Sequence, residues 1–230
     1  GDDGIDRSFA ERVFDIYDGP LTTRFAAVFV LVAGMGVTLM TNRSRRSGDA
    51  AAISEDRWRL VRRGLLLYAC GAVVEWVWPG TILFFYGAFF IIAAALFTLR
   101  TRWLVVVSAI ATGAGAGIAW FRADRLVEGD STTWLDPRPD SPRNLLLRTF
   151  VGYTHPLFPW LAFLCAGIAI GRLLPLTAAR ARLIGAIGAG LLMVTYAVNF
   201  VGQRWVDDGE DTYVWRTILS TSPWHRGALY

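Results

Sequence analysis

The chain has 230 residues, 54% of them hydrophobic, with a mean hydropathy of +0.40 and a formal net charge of +4. Soluble domains of this size sit nearer about 45–50% apolar, and here the excess gathers in blocks, so a soluble globular domain is excluded as the first reading. No basic strip interleaved with aromatics supports nucleic-acid binding.

All 23 basic residues are Arg. Arginine without lysine, among many Ala and Gly, suggests a GC-rich bacterial genome and places the expected protein in a bacterial plasma membrane. The two cysteines, Cys70 and Cys165, fall in mid-block and read as small apolar core residues. No Cys/His spacing suggests zinc, and no metal is expected.

Residues 1–23 are polar and acidic and read as an extracytoplasmic amino-terminal segment. Within it, Ser8 to Tyr17 fits a short amphipathic helix stopped by Asp18-Gly19-Pro20. The first apolar block is Phe25 to Met40, ended by a basic stop at Thr41 to Arg46 and a polar loop to Asp56. The next two blocks form a hairpin. Gly64 to Trp78 and Ile82 to Leu99 flank a turn at Pro79-Gly80, with arginines at both far ends and Glu75 as the one internal charge. The fourth block is Trp103 to Phe121, followed by a polar stretch rich in Asp and Pro to Thr154. The fifth is Pro156 to Leu176, and the sixth is Leu183 to Val201, before a polar tail.

These blocks predict an all-α membrane bundle of six transmembrane helices over residues 24–201, with outer loop 121–155 and outer tail 202–230. Charge fixes the expected orientation. Loops 42–63, 100–102 and 172–182 hold 12 Arg and 3 acids in 36 residues. Segments 1–23, 121–155 and 201–230 hold 10 Arg and 15 acids in 88 residues. The arginine-dense side is cytoplasmic, so the amino terminus lies outside. Trp58, Trp76, Trp78, Trp103, Trp120 and Trp160 stand at block ends, where indole rings favour the headgroups. Small residues recur at four-residue spacing in Gly113/Gly117, Gly167/Gly171 and Ala186/Gly190, which predicts close helix packing.

Three stretches carry a family resemblance. They are Phe29 to Gly36, then Trp58 to Leu67 with Ile82 to Gly87, then His155-Pro156-Leu157-Phe158-Pro159-Trp160-Leu161 with Gly167 and Gly171-Arg172. Together they resemble the bacterial heparan-alpha-glucosaminide N-acetyltransferase-like membrane proteins over roughly residues 10–200. The resemblance implies an integral membrane acyltransferase. Such proteins take an acyl group from cytoplasmic acyl-CoA, here acetyl-CoA, and pass it to a sugar or other acceptor outside. It also implies a further helix and an outer catalytic His ahead of the first block, and more helices beyond Tyr230. The chain is accordingly expected to be a central part of that domain.

Several residues carry candidate chemistry. His155, at the outer mouth of the fifth block, has a pKa range suited to a general base towards an acceptor hydroxyl; its plainer reading is an interfacial His satisfied by water. Asp18 precedes the first block where the family places its catalytic region. Glu75 is an intramembrane acid, which usually faces a partner or an aqueous cavity; Asn199 is one candidate partner. Arg24 stands at the outer start of the first block, against the charge rule, to pair with Asp15, Asp18 or Glu75 or to bind an anionic acceptor. Arg45, Arg46, Arg62 and Arg63, with Arg43, form an inner cluster suited to CoA phosphates; plain topology signalling is the simpler reading. His225 reads as a solvated tail residue.

Two other functions stay open. A transporter would use Glu75, Asn199 and the glycine-rich fourth block as a path. A non-catalytic membrane module would use none of them. Expected partners are membrane lipids and an outer glycan or small-molecule acceptor, with a homo-oligomer left open.

Overall fold

The computed structural model describes residues 24–77, 82–130, 147–151, 156–205 and 212–219. Among these residues the fold is all-helical. The described helices, in chain order, are α1 (Arg24–Ser47), α2 (Ala50–Val77), α3 (Leu83–Leu96), α4 (Thr101–Val127), α5 (Leu157–Gly171), α6 (Ala178–Trp205) and α7 (Thr212–Ile218). A further helical turn occupies residues 147–150.

Among the described residues, three helices are long and apolar enough to cross a membrane: Phe25–Ser47, Thr101–Val127 and Ala178–Arg204. The 28-residue α2 has the length, but Arg57, Arg59, Arg62, Arg63 and Glu75 break its apolar run. The apolar helices α3 and α5 are short, at 14 and 15 residues. The protein is thus a helical membrane protein with blocks of unequal length.

Two expected boundaries move. The expected loop at 42–56 is almost wholly helical. α1 runs on through its basic stop to Ser47, and Gly48 ends it with a positive φ of 69°. Asp49 then accepts the Ala51 amide at 3.0 Å and starts α2. Polar residues do not break a helix; only the Gly-Asp step does. Likewise α4 continues past Phe121 to Val127, before Gly129 at φ 75°. The expected helix at Ser8–Tyr17 and the Pro79-Gly80 turn lie outside the described residues.

α5 is the hub. It packs against α1, α4 and α3, and buries Leu157, Trp160, Leu161, Leu164, Cys165 and Ile168. With Phe84, Phe85, Phe89 and Phe97 of the α3 region they make the core. Trp160, expected at the headgroups, is only 1% exposed and stands edge-on to Phe163. Trp58, Trp103 and Trp120 are exposed. Cys165 is buried, whereas Cys70 is exposed rather than in the core.

Glycine sets the closest approaches. α1 and α5 run parallel. A Cβ on Gly167 would lie 2.0 Å from the Leu31 carbonyl oxygen, and one on Gly34 would lie 2.3 Å from that of Leu164. Gly171 abuts Thr38, whose hydroxyl donates to the Ile168 carbonyl at 2.9 Å. The Gly167/Gly171 expectation is met. Gly113, Gly117 and Gly190 have nothing near them; in α4 it is Gly115 that packs, against Pro159. The α2–α3 hairpin is antiparallel and equally tight, with Gly64 against Gly87 and Ile91, and Gly71 against Phe84. α6 stands apart, with none of its apolar window buried.

Candidate functional site

At one end of the bundle, α2 brings Glu75 into its last turns and the 147–150 turn brings Arg148 beside it. The two side chains form a buried ion pair, with Glu75 7% and Arg148 6% exposed. The Arg148 guanidinium also lies over the Phe84 ring, 5.5 Å from its centroid. One residue on, Thr149 shares a 2.8 Å hydrogen bond with the Tyr68 hydroxyl, and Tyr68 stands edge-on to Phe84. The turn is therefore bolted to the α2–α3 hairpin through charge, ring and hydroxyl together. Burying both charges is costly, and pairing them is what makes the burial tolerable.

That anchoring bears on His155. The residue falls in the short stretch between Val151 and Pro156. Thr149 on one flank, and Pro156 with Leu157 on the other, are buried. His155 itself lies outside the described residues, as do Asp18 and His225. Arg24 is the first residue of α1, and its side chain is likewise outside them.

The Glu75–Asn199 pairing does not form. Asn199 donates from its side-chain amide to the Leu219 carbonyl, and Gln203 donates to that of Arg216 at 3.1 Å. These two bonds tie α6 to α7. Glu75 takes Arg148 instead. Sequence reasoning passed over Arg148, although its setting gave a signal. It is a lone charge in Leu145-Leu146-Leu147-Arg148-Thr149-Phe150-Val151, an apolar run inside an otherwise polar stretch.

The opposite end gathers the arginines. Ser44 of α1 donates to Asp56 of α2 at 2.6 Å, and Asp56 also accepts from Arg59 at 2.9 Å. Arg63 reaches the Met40 sulfur at 2.8 Å, while Arg62 and Arg46 are exposed. Arg45 is half-buried and donates to Asn42 at 3.1 Å. Arg172, just past α5, donates to the Phe97 carbonyl at 3.0 Å and to the Thr101 hydroxyl at 3.1 Å. Burial lowers the pKa of Arg172, and the neighbouring Arg45 charge lowers it further. Arg172 was outside the predicted set of inner arginines. Among the described residues, no group of three or more His, Cys, Asp or Glu is placed to hold a metal ion.

A family model described as heparan-alpha-glucosaminide N-acetyltransferase, catalytic, matches residues 19–204. No curated protein and no solved structure matches.

Proposed function

The chain belongs to the heparan-alpha-glucosaminide N-acetyltransferase family over residues 19–204, and from that premise we propose that it transfers an acetyl group across the membrane. The donor in this reading is cytoplasmic acetyl-CoA, and the acceptor is a sugar or glycan on the outer side. The family match carries the reading. The apolar helices supply its setting, because a reaction joining two aqueous sides needs a protein passage through lipid.

In this reading six helices cross the membrane with the α1–α2 connection inside. The Glu75–Arg148 pair then stands at the outer end, and Arg45 and Arg172 stand at the inner end. His155 acts as general base towards the acceptor hydroxyl or amine, where an imidazole near neutral pKa accepts a proton effectively. Glu75 acts by position: it holds Arg148, and Arg148 holds the segment that leads to His155. Asp18 and Arg24 remain candidates for acceptor contact. Arg45, Arg46, Arg62 and Arg63 draw the phosphates of the donor to the inner face. Asn199 serves the α6–α7 contact.

Membranes carrying the full-length protein, given acetyl-labelled acetyl-CoA, are expected to transfer label to an outer acceptor. His155→Ala is expected to lower that transfer about 100-fold or more, the usual worth of a positioned acid–base group. Transfer unaffected by the substitution would take His155 out of the mechanism. Orientation has its own test. A cysteine in place of Gly48 should resist an impermeant maleimide in intact cells and react once the membrane is opened. Labelling in intact cells would reverse the assigned sides.

A further inference from the structure

We propose that the exposed faces of α1, α4 and α6 fit a bilayer thinner than average, so that the lipid partner of this protein is a phospholipid with short acyl chains. α4 carries the clearest measure. It exposes one Trp near each end of its apolar run, Trp103 and Trp120, both off the buried stripe of Leu104, Ala111, Gly115 and Ala119. Indole rings favour the headgroup boundary, so the two rings mark where hydrocarbon begins and ends along this helix. They stand about 26 Å apart along the axis.

The other two faces give the same depth. α1 exposes Phe25, Val28, Phe29, Val32 and Leu39, and the first exposed charge beyond them is Arg43, about 27 Å from Phe25. On α6 the exposed apolar run starts at Leu183, next to exposed Arg182. At its far end the Arg204 guanidinium lies over the Phe200 ring, 3.8 Å from the centroid, which brings charge back level with that residue. Leu183 and Phe200 are about 26 Å apart. The sheltered α3 and α5, at 14 and 15 residues, are no longer than these runs.

Such lengths are upper bounds on depth, because tilt shortens the projection on the bilayer normal. An average hydrocarbon core is about 30 Å thick. Arginine heads can reach outward to close part of the gap, but indole rings are too short and rigid to do so. An average bilayer therefore has to thin beside the protein, at a cost that grows with each ångström of mismatch, and shorter chains remove that cost. The inference rests on α1, α4 and α6 crossing the membrane and not on acyl transfer.

The test places the purified full-length protein in nanodiscs of dimyristoleoyl, dipalmitoleoyl, dioleoyl, dieicosenoyl or dierucoyl phosphatidylcholine, a series of rising chain length with one headgroup. Tm is expected to peak in one of the two shortest lipids and to fall by about 3–6 °C in the longest. Electron microscopy of dioleoyl discs is expected to show the two headgroup layers about 3–5 Å closer together beside the protein than at the disc rim. Arg43→Leu moves the first exposed charge of α1 on to Arg46, about 5 Å further along, so its peak is expected in a longer lipid. Arg43→Gln loses the charge but stays polar, and should keep the wild-type peak. If Arg43→Leu fails to fold, the wild-type series and the headgroup spacing decide. A flat profile, a wild-type peak in dioleoyl or a longer lipid, headgroup layers that do not converge, or a peak that Arg43→Leu leaves in place would overturn the fit. A chain that stays monodisperse without lipid or detergent would instead remove the membrane-crossing premise, which is a separate failure.

Discussion

Replacing Arg148 by Ala is expected to cost about 3–5 kcal/mol of stability, because it strands the Glu75 carboxylate in a buried position. Glu75→Ala should cost a similar amount by stranding the guanidinium over Phe84. Removing both charges together, as Glu75→Gln with Arg148→Met, should recover most of the loss, since a matched neutral pair needs no compensation for lost hydration. Chemical unfolding in detergent measures all three variants. Single substitutions that cost under about 1 kcal/mol would show a solvent-screened pair instead of a buried one. Transfer activity adds a second reading. If Glu75 acts by position, the neutral double variant keeps a substantial fraction of activity; if Glu75 is a base, the double variant is as inactive as the single one.

The second large effect belongs to the α1–α5 seam. Gly167→Ala puts a methyl group 2.0 Å from the Leu31 carbonyl oxygen and close to the Gly34 Cα. Neither neighbour is the end of a flexible side chain, so a helix must move. The expected loss is about 1–3 kcal/mol, towards the upper end. Gly113→Ala provides the contrast. Nothing lies within 4 Å of the added carbon. There the helix should gain about 0.5–1 kcal/mol, from the backbone freedom that Ala removes from the unfolded chain. Equal effects at both sites would mean that α1 and α5 do not meet through Gly167.

Those two glycines also mark how far the sequence could be read. The apolar blocks located the helices, and the antiparallel α2–α3 hairpin was visible in its turn and flanking arginines. Spacing alone could not rank the glycines. Gly167/Gly171 and Gly113/Gly117 share one pattern, yet only the former sits against a neighbouring backbone. Packing depends on which face turns inward, and an all-apolar helix does not announce that face. The polar stretch at 42–56 looked like a loop because of its charges. Charges are tolerated on a helix, and Gly48 alone supplied the break.

The site was legible in part for the same reason. Glu75 stood out because a charge inside an apolar block is costly. Its partner did not, since Arg148 is 73 positions away and one of many arginines outside the apolar blocks. Arg172 was visible as a helix-end arginine, but its hold on Phe97 and Thr101 depends on two segments far apart in sequence sharing one end of the bundle. Local patterns report burial and helicity; they do not report which distant segments share an end of the bundle.

The brevity of the central helices has a consequence for how they meet a bilayer. α3 rises only about 21 Å and α5 about 23 Å, against roughly 30 Å of hydrocarbon. The flanking α1 and α4, at about 36 Å and 40 Å, span the full depth. Non-helical backbone at membrane depth has to be sheltered by protein or bathed by water. In the six-span reading, helix alone covers only part of the hydrocarbon depth at α3 and α5, and the backbone that completes each crossing must be packed against protein such as the longer α1 and α4.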